Sequence, residues 1–231
     1  MTVGVTVDTR LRVVEIGAGL GLGGLVMAKA IHNIARVDAQ RMFPCGVDFF
    51  ITDGDTKVVN VLEDAVKQAG FQQPEGTNLT EWPIVTCSAC SYDWDDPVLP
   101  SSLPLADLII GCDVLYHLST ADGVYRAIRS LMKRNGGTAI ILGGASYHRY
   151  AVEPFLRLID EDPELDRISV ELGTASTILP SLRNCERDLC FGADDTLLVH
   201  VIRWCGQLSV NAESMAAFFC DQGTAITLKP L

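Results

Sequence analysis

The stretch Val13-Val14-Glu15-Ile16-Gly17-Ala18-Gly19-Leu20-Gly21-Leu22-Gly23 decides how the rest of the chain is read. A short apolar run ends in a carboxylate, glycines alternate after it, and Leu25-Val26-Met27-Ala28-Lys29-Ala30 continues as a helix. Strand, glycine turn and helix together leave backbone N–H groups facing a ligand with no side chains in the way. The pattern places the first strand at about 12–16 and a helix over about 21–35.

The spacing Glu-x-Gly-x-Gly-x-Gly narrows the choice of ligand. A dinucleotide fold uses G-x-G-x-x-G to receive a pyrophosphate. The third glycine of that pattern would fall on Leu22 here. An acidic residue two positions before the first glycine is instead the usual look of an S-adenosylmethionine pocket. The glycines let the cofactor lie against the backbone, and Glu15 can hold its cationic amino group directly or through water. A dinucleotide site and a plain tight turn stay open as the other readings.

Composition bounds the class. A chain of 231 residues with 48% hydrophobic content fits one sizeable domain that can bury a core without staples. A net charge of −11 makes a poor binder of phosphate backbones, so no nucleic acid is expected. It suits a basic partner such as a lysine-rich protein segment, or serves solubility. Of the eight cysteines, Cys87-x-x-Cys90 is the one CxxC, and a single pair cannot fill a zinc site. No metal is expected, and reduced thiols in a cytoplasmic protein are the simpler account. No signal peptide pattern stands at the N-terminus, and no apolar run approaches membrane-spanning length, so no membrane partner is expected.

Further along, Gly46–Thr52 reads as a second strand ending at Asp53, a place from which a carboxylate accepts hydrogen bonds from ribose hydroxyls. Asp55 is placed to cap a helix over about 55–69, with Val58, Val59, Leu62 and Val66 on one face and Gly70 as its stop. Residues 84–87 read as a third strand leading to Tyr92-Asp93-Trp94-Asp95. Leu108–Cys112 is a fourth, continuous and apolar as a strand buried on both faces should be, and it leads to Asp113-Val114-Leu115-Tyr116. A helix over about 119–134, a turn at Asn135-Gly136-Gly137, a strand over 138–142, a helix over 150–159, a strand over 168–172 and a last strand over 196–204 complete the pattern. The domain is expected to span 1–204, with a tail over 205–231 of weak helical character around 212–220. Alternation of this kind predicts an α/β doubly wound sheet with its site at the strands' C-terminal ends. The glycine turn, Asp53, Asp93-Trp94 and Asp113–Tyr116 all fall there. Among the histidines only His117 lies near that site. His32, His148 and His200 read as structural or surface groups.

Glu15-x-Gly17-x-Gly19, Thr52-Asp53-Gly54, Asp93-Trp94 and Asp113-Val114-Leu115-Tyr116, in that order, resemble the motifs of the seven-strand protein-lysine methyltransferases. The stretch from Thr52 to Asp64 is similar to the calmodulin-lysine member, and 112–116 to the elongation-factor-2 member. The resemblance covers about 13–204. It implies a Rossmann-like seven-strand fold, mostly parallel with the last strand antiparallel, and S-adenosylmethionine as cofactor. It implies that Gly17, Ala18 and Gly19 line the methionine and ribose part, that Asp53 binds the ribose, that Trp94 packs by the adenine, and that Asp93 beside it belongs to the cofactor site. The resemblance also implies that Cys112 stands beside the cofactor. Asp113 and Tyr116 match the acidic-x-x-aromatic motif at the mouth where a target lysine of a protein substrate meets the methyl group. That family normally has a Trp-bearing segment before its first strand. Only about a dozen residues precede it here, so a truncated form or a more open pocket is expected. A small-molecule methyltransferase and a non-catalytic binding protein of the same fold are the alternatives.

Overall fold

The computed structural model describes residues 10–42, 45–71, 85–96, 98–144, 150–174 and 196–206. Its seven strands form one sheet in the order β3-β2-β1-β4-β5-β7-β6. The strands are β1 (Leu11–Glu15), β2 (Val47–Asp53), β3 (Val85–Ser91), β4 (Leu108–Cys112), β5 (Thr138–Gly144), β6 (Leu165–Thr174) and β7 (Thr196–Trp204). The helices are α1 (Leu22–Met42), α2 (Thr56–Ala69), α3 (Thr120–Leu131) and α4 (Val152–Glu161). The chain divides into two compact units, residues 1–108 and 109–231.

In the first unit β1, β2 and β3 are parallel, with Glu15 opposite Ile51 and Asp53 opposite Ser91. Their C-terminal ends therefore share one rim. Val13, Val14, Phe49 and Ile51 are buried, as strands covered on both faces require. Helix α2 begins where Asp55 accepts the Lys57 N–H at 2.8 Å. It ends where Gly70, at φ 74°, returns its N–H to the Lys67 carbonyl. Val59, Leu62 and Val66 are its buried face.

In the second unit β7 runs antiparallel to both β5 and β6. This is the expected arrangement of the last strand. Val170, Val199 and Val201 form a buried cluster with Ile140, Leu142, Ile168 and Leu172 packed against it. Trp204 ends β7 by donating its indole N–H to the Lys133 carbonyl at 2.9 Å. The Arg134 guanidinium stacks 3.8 Å from the centre of that ring. Among the described residues, no helix is long and apolar enough to cross a membrane.

Several boundaries differ from expectation. Helix α1 runs to Met42, seven residues past the expected end, because no glycine or proline interrupts the sequence before Pro44. Strand β3 continues through Ser88-Ala89-Cys90-Ser91, held by the parallel ladder to Phe50, Ile51, Thr52 and Asp53. Those small polar residues give no apolar signal of their own. Helix α3 stops at Leu131, since Met132 is already extended at ψ 123°. Strand β6 spans 165–174 rather than 168–172, its outer residues fixed by pairing with β7. The expected tail helix, Ile84, His148, Cys185, Cys190 and Cys220 lie outside the described residues.

Candidate functional site

In the first unit the site begins with the glycine turn. Gly17, Gly19 and Gly21 hold φ of 59°, 54° and 74°, the left-handed region that side chains resist. The Ala18 N–H reaches across to the Thr52 carbonyl at 2.8 Å. Thr52, fully buried, donates its hydroxyl to the Glu15 carbonyl at 2.7 Å. Asp53 then accepts from two backbone groups at once: the Gly19 N–H on Oδ2 at 2.9 Å and the Asp55 N–H on Oδ1 at 3.0 Å. The turn after β1 and the start of α2 are thus tied to one carboxylate. The Asp53 carbonyl takes the Tyr92 N–H at 3.0 Å. Asp93 packs beside Gly54, with its Cα 3.6 Å from where a Gly54 Cβ would stand. Asp93 itself is exposed and accepts the Asp95 N–H at 2.9 Å, which shapes the turn that carries the half-buried Trp94.

Glu15 faces inward. It is 2% exposed, and its Oε1 accepts the Gly24 N–H at 3.0 Å, in the first turn of α1. Its Oε2 is buried and has no hydrogen-bond partner among the described residues. Burial pushes the carboxyl up to about 7, with the Gly24 hydrogen bond pulling the other way. Sequence reasoning gave Gly24 no role, yet a Cβ there would collide with this carboxylate. Glu15 therefore braces the turn from beneath.

The second unit carries Cys112, Asp113 and Tyr116. Cys112 is exposed at the end of β4. Asp113 has φ 58°, alone among the described non-glycine residues in being positive. Its N–H donates to the Leu142 carbonyl at 2.7 Å, which holds it there. A left-handed aspartate costs about 1 kcal/mol, and such strain gathers where a side chain must be aimed. Val114 and Leu115 are buried and anchor the segment, whereas Tyr116 is 52% exposed. His117 accepts the Ser119 N–H on its Nδ1 at 3.4 Å, at the start of α3. Among the described residues, no group of three or more His, Cys, Asp and Glu side chains is arranged to hold a metal.

The first unit's residues fit S-adenosylmethionine. A Cβ built on Gly19 meets nothing within 4 Å, so the face of the turn is open to a ligand lying on the backbone. Asp53 accepts one backbone hydrogen bond on each oxygen and keeps further acceptor capacity for hydroxyls.

A family model described as lysine methyltransferase matches residues 3–162. No curated protein matches the chain. Among solved structures it is similar to StiE O-MT residues 961–1257, at 14% identity and a TM-score of 0.52, covering 95% of this chain and 76% of that one. It is similar to the CMeT domain of the citrinin polyketide synthase at 12% identity and a TM-score of 0.51, over 84% of this chain and 47% of that one. A TehB-like SAM-dependent methyltransferase from Corynebacterium glutamicum ATCC 13032 shares 16% identity at a TM-score of 0.46, over 84% and 80%. The first two likenesses speak for the fold. The family match runs from before β1 to the end of α4, taking in every motif residue of both units, and on it the chain belongs to the lysine methyltransferase family, as an S-adenosylmethionine-dependent methyltransferase.

Proposed function

We propose that this chain transfers a methyl group to a lysine side chain of a protein substrate in the cytoplasm. The observation that carries the proposal is the Asp113–Tyr116 segment: an aspartate held in a strained backbone by Leu142, three residues before a half-exposed tyrosine. A carboxylate and an aromatic face suit an alkylamine. The net charge of −11 also favours a basic protein segment over an anionic one.

Bound S-adenosylmethionine supplies a sulfonium methyl, which needs little help as an electrophile. Gly17, Ala18 and Gly19 would lie along its methionine and ribose part, with Asp53 on the ribose hydroxyls. Asp93 and Trp94 would stand by the adenine, and Cys112 beside the cofactor. Glu15 acts on the cofactor through the turn it braces. The remaining work is positioning, where correct orientation of the amine accounts for most of the acceleration. Lysine, with an unperturbed pKa of ~10.4, must lose a proton before it attacks. Asp113 orients the amine by accepting one of its hydrogens. The same carboxylate favours the charged amine, so the proton leaves to water as the side chain is desolvated. Tyr116 holds the alkylammonium by its ring face.

The test is incubation of the chain with radiolabelled S-adenosylmethionine and a cell lysate, followed by separation of protein from small molecules. Label entering protein in the wild type and absent in Asp113→Asn supports the proposal. Label entering only small molecules replaces it with a small-molecule methyltransferase.

A further inference from the structure

Behind Asp113, in the second unit, a polar chain that the proposed reaction has not used runs from the half-exposed Asp160 to the buried His200. Ser169 on β6 and His200 on β7 stand opposite each other in the ladder, with the serine oxygen 2.7 Å from His200 Nδ1. Arg167 donates to the same serine oxygen at 2.6 Å. Asp160 at the end of α4 grips Arg167 at two points, 2.9 and 2.7 Å. His200 is 2% exposed.

Arginine only donates, so the Ser169 oxygen accepts from Arg167, and its O–H is placed to donate to His200 Nδ1. With Nδ1 accepting, the neutral imidazole carries its hydrogen on Nε2. Burial, then the Arg167 charge, push His200 down to about 4, with Asp160 opposing. The ring is therefore neutral across the physiological range.

His200 also lines a small cavity with Asp113, Leu115, Ile141 and Leu142, which has room for roughly one water molecule. Among the described residues, the charged groups around the ring are Arg167 from β6, Asp160 from α4 and Asp113 after β4. The β5 side presents Ile141, Leu142 and glycines. Asp113 Oδ1 is buried.

We propose that His200 is a positioning residue for Asp113: its Nε2–H, locked in place by Ser169, Arg167 and Asp160, donates through one water in this cavity and holds the Asp113 carboxylate ionised and aimed. The proposal rests on the reading of Asp113 as the group that orients the substrate amine.

Two spectroscopic measurements on the full chain test it without relying on transfer activity. Long-range proton–nitrogen spectra should show His200 with hydrogen on Nε2, unchanged between pH 5.5 and 8. A hydrogen on Nδ1, or titration inside that range, overturns the proposal. Carboxyl carbon titration of Asp113 should move up by about one pH unit in His200→Phe, because a donor to the anion is lost. An unmoved Asp113 also overturns it. Ser169→Ala, a smaller change, should release the tautomer lock and move Asp113 in the same direction by less. In both variants the acid limb of kcat/KM should follow the carboxyl titration, whereas a mere packing defect would lower kcat/KM evenly at every pH. Failure of the underlying reading looks different: lysine transfer would then survive Asp113→Asn while the His200 spectra stay as described.

Discussion

The Asp53 carboxylate accepts the backbone N–H of Gly19 at 2.9 Å across 34 residues of sequence. One side chain at the end of β2 thereby holds the turn after β1 in the shape a cofactor would lie against. Its other oxygen, on the Asp55 N–H, ties the same point to the start of α2. Asp53→Asn should weaken S-adenosylmethionine binding about tenfold, and Asp53→Ala nearer a hundredfold, in line with ~1.5–3 kcal/mol for hydrogen bonds to a charged group. Calorimetric titration of the two variants checks this. Unchanged affinity in Asp53→Ala would remove Asp53 from the site.

Glu15 makes stability depend on pH in a predictable direction. Its carboxyl titrates near 7 in the folded chain against 4.5 as the ordinary value. Between those values the folded state binds more protons than the unfolded one, so stability falls as pH rises through the window and levels off above it. The loss is at most about 3.5 kcal/mol, since each pH unit between the folded and unfolded values contributes roughly 1.4 kcal/mol. Glu15→Gln keeps the shape and an acceptor for Gly24 but cannot ionise. Urea unfolding at pH 5 and pH 8 should show a decline in the wild type that the variant lacks. Parallel curves would mean the buried carboxylate is solvated in some other way.

Gly24 should be intolerant of the smallest enlargement. Alanine ordinarily gains up to ~1 kcal/mol over glycine within a helix. Here the added Cβ would run into the Glu15 carboxylate and stand 3.2 Å from Ile51, both buried and unable to retreat. Overpacking of this kind costs about 1–3 kcal/mol, so the clash wins. Gly24→Ala should lower the melting temperature. Gly19→Ala meets no neighbour and should act through backbone strain alone.

Asp113→Asn separates folding from chemistry. Asparagine tolerates the left-handed backbone as well as aspartate does, so the Leu142 hydrogen bond and the fold should persist. Its melting temperature and its affinity for S-adenosylmethionine should match the wild type. Lysine methylation should fall about a hundredfold or more, the scale on which misplaced reacting groups lose rate. A variant as active as the wild type would leave Asp113 a structural turn residue.

Continuous apolar runs were the most legible part of this chain. Leu108–Cys112 and Thr196–Trp204 match their strands residue for residue, because strands deep in a sheet need apolar side chains on both faces. Asp55 and Gly70 marked the ends of α2 through their own local chemistry. What the sequence hid depends on partners far along the chain. Ser88–Ser91 is strand only because β2 lies beside it. Gly24 matters because Glu15, nine positions earlier, folds beneath it. Asp113 is recognisable by motif, but its positive φ comes from the Leu142 carbonyl. His200 read as an ordinary structural or surface group, and only the structure shows Ser169 and Arg167 gathered at its Nδ1 side.

The most direct test of the central claim is the identity of the amino acid that receives the methyl group. Protein labelled by the chain with radioactive S-adenosylmethionine would be hydrolysed completely and its amino acids separated. The account predicts label in methylated lysine, abolished by Asp113→Asn although that variant still binds the cofactor. Label on a different amino acid, or none in protein under conditions where the cofactor binds, would contradict it.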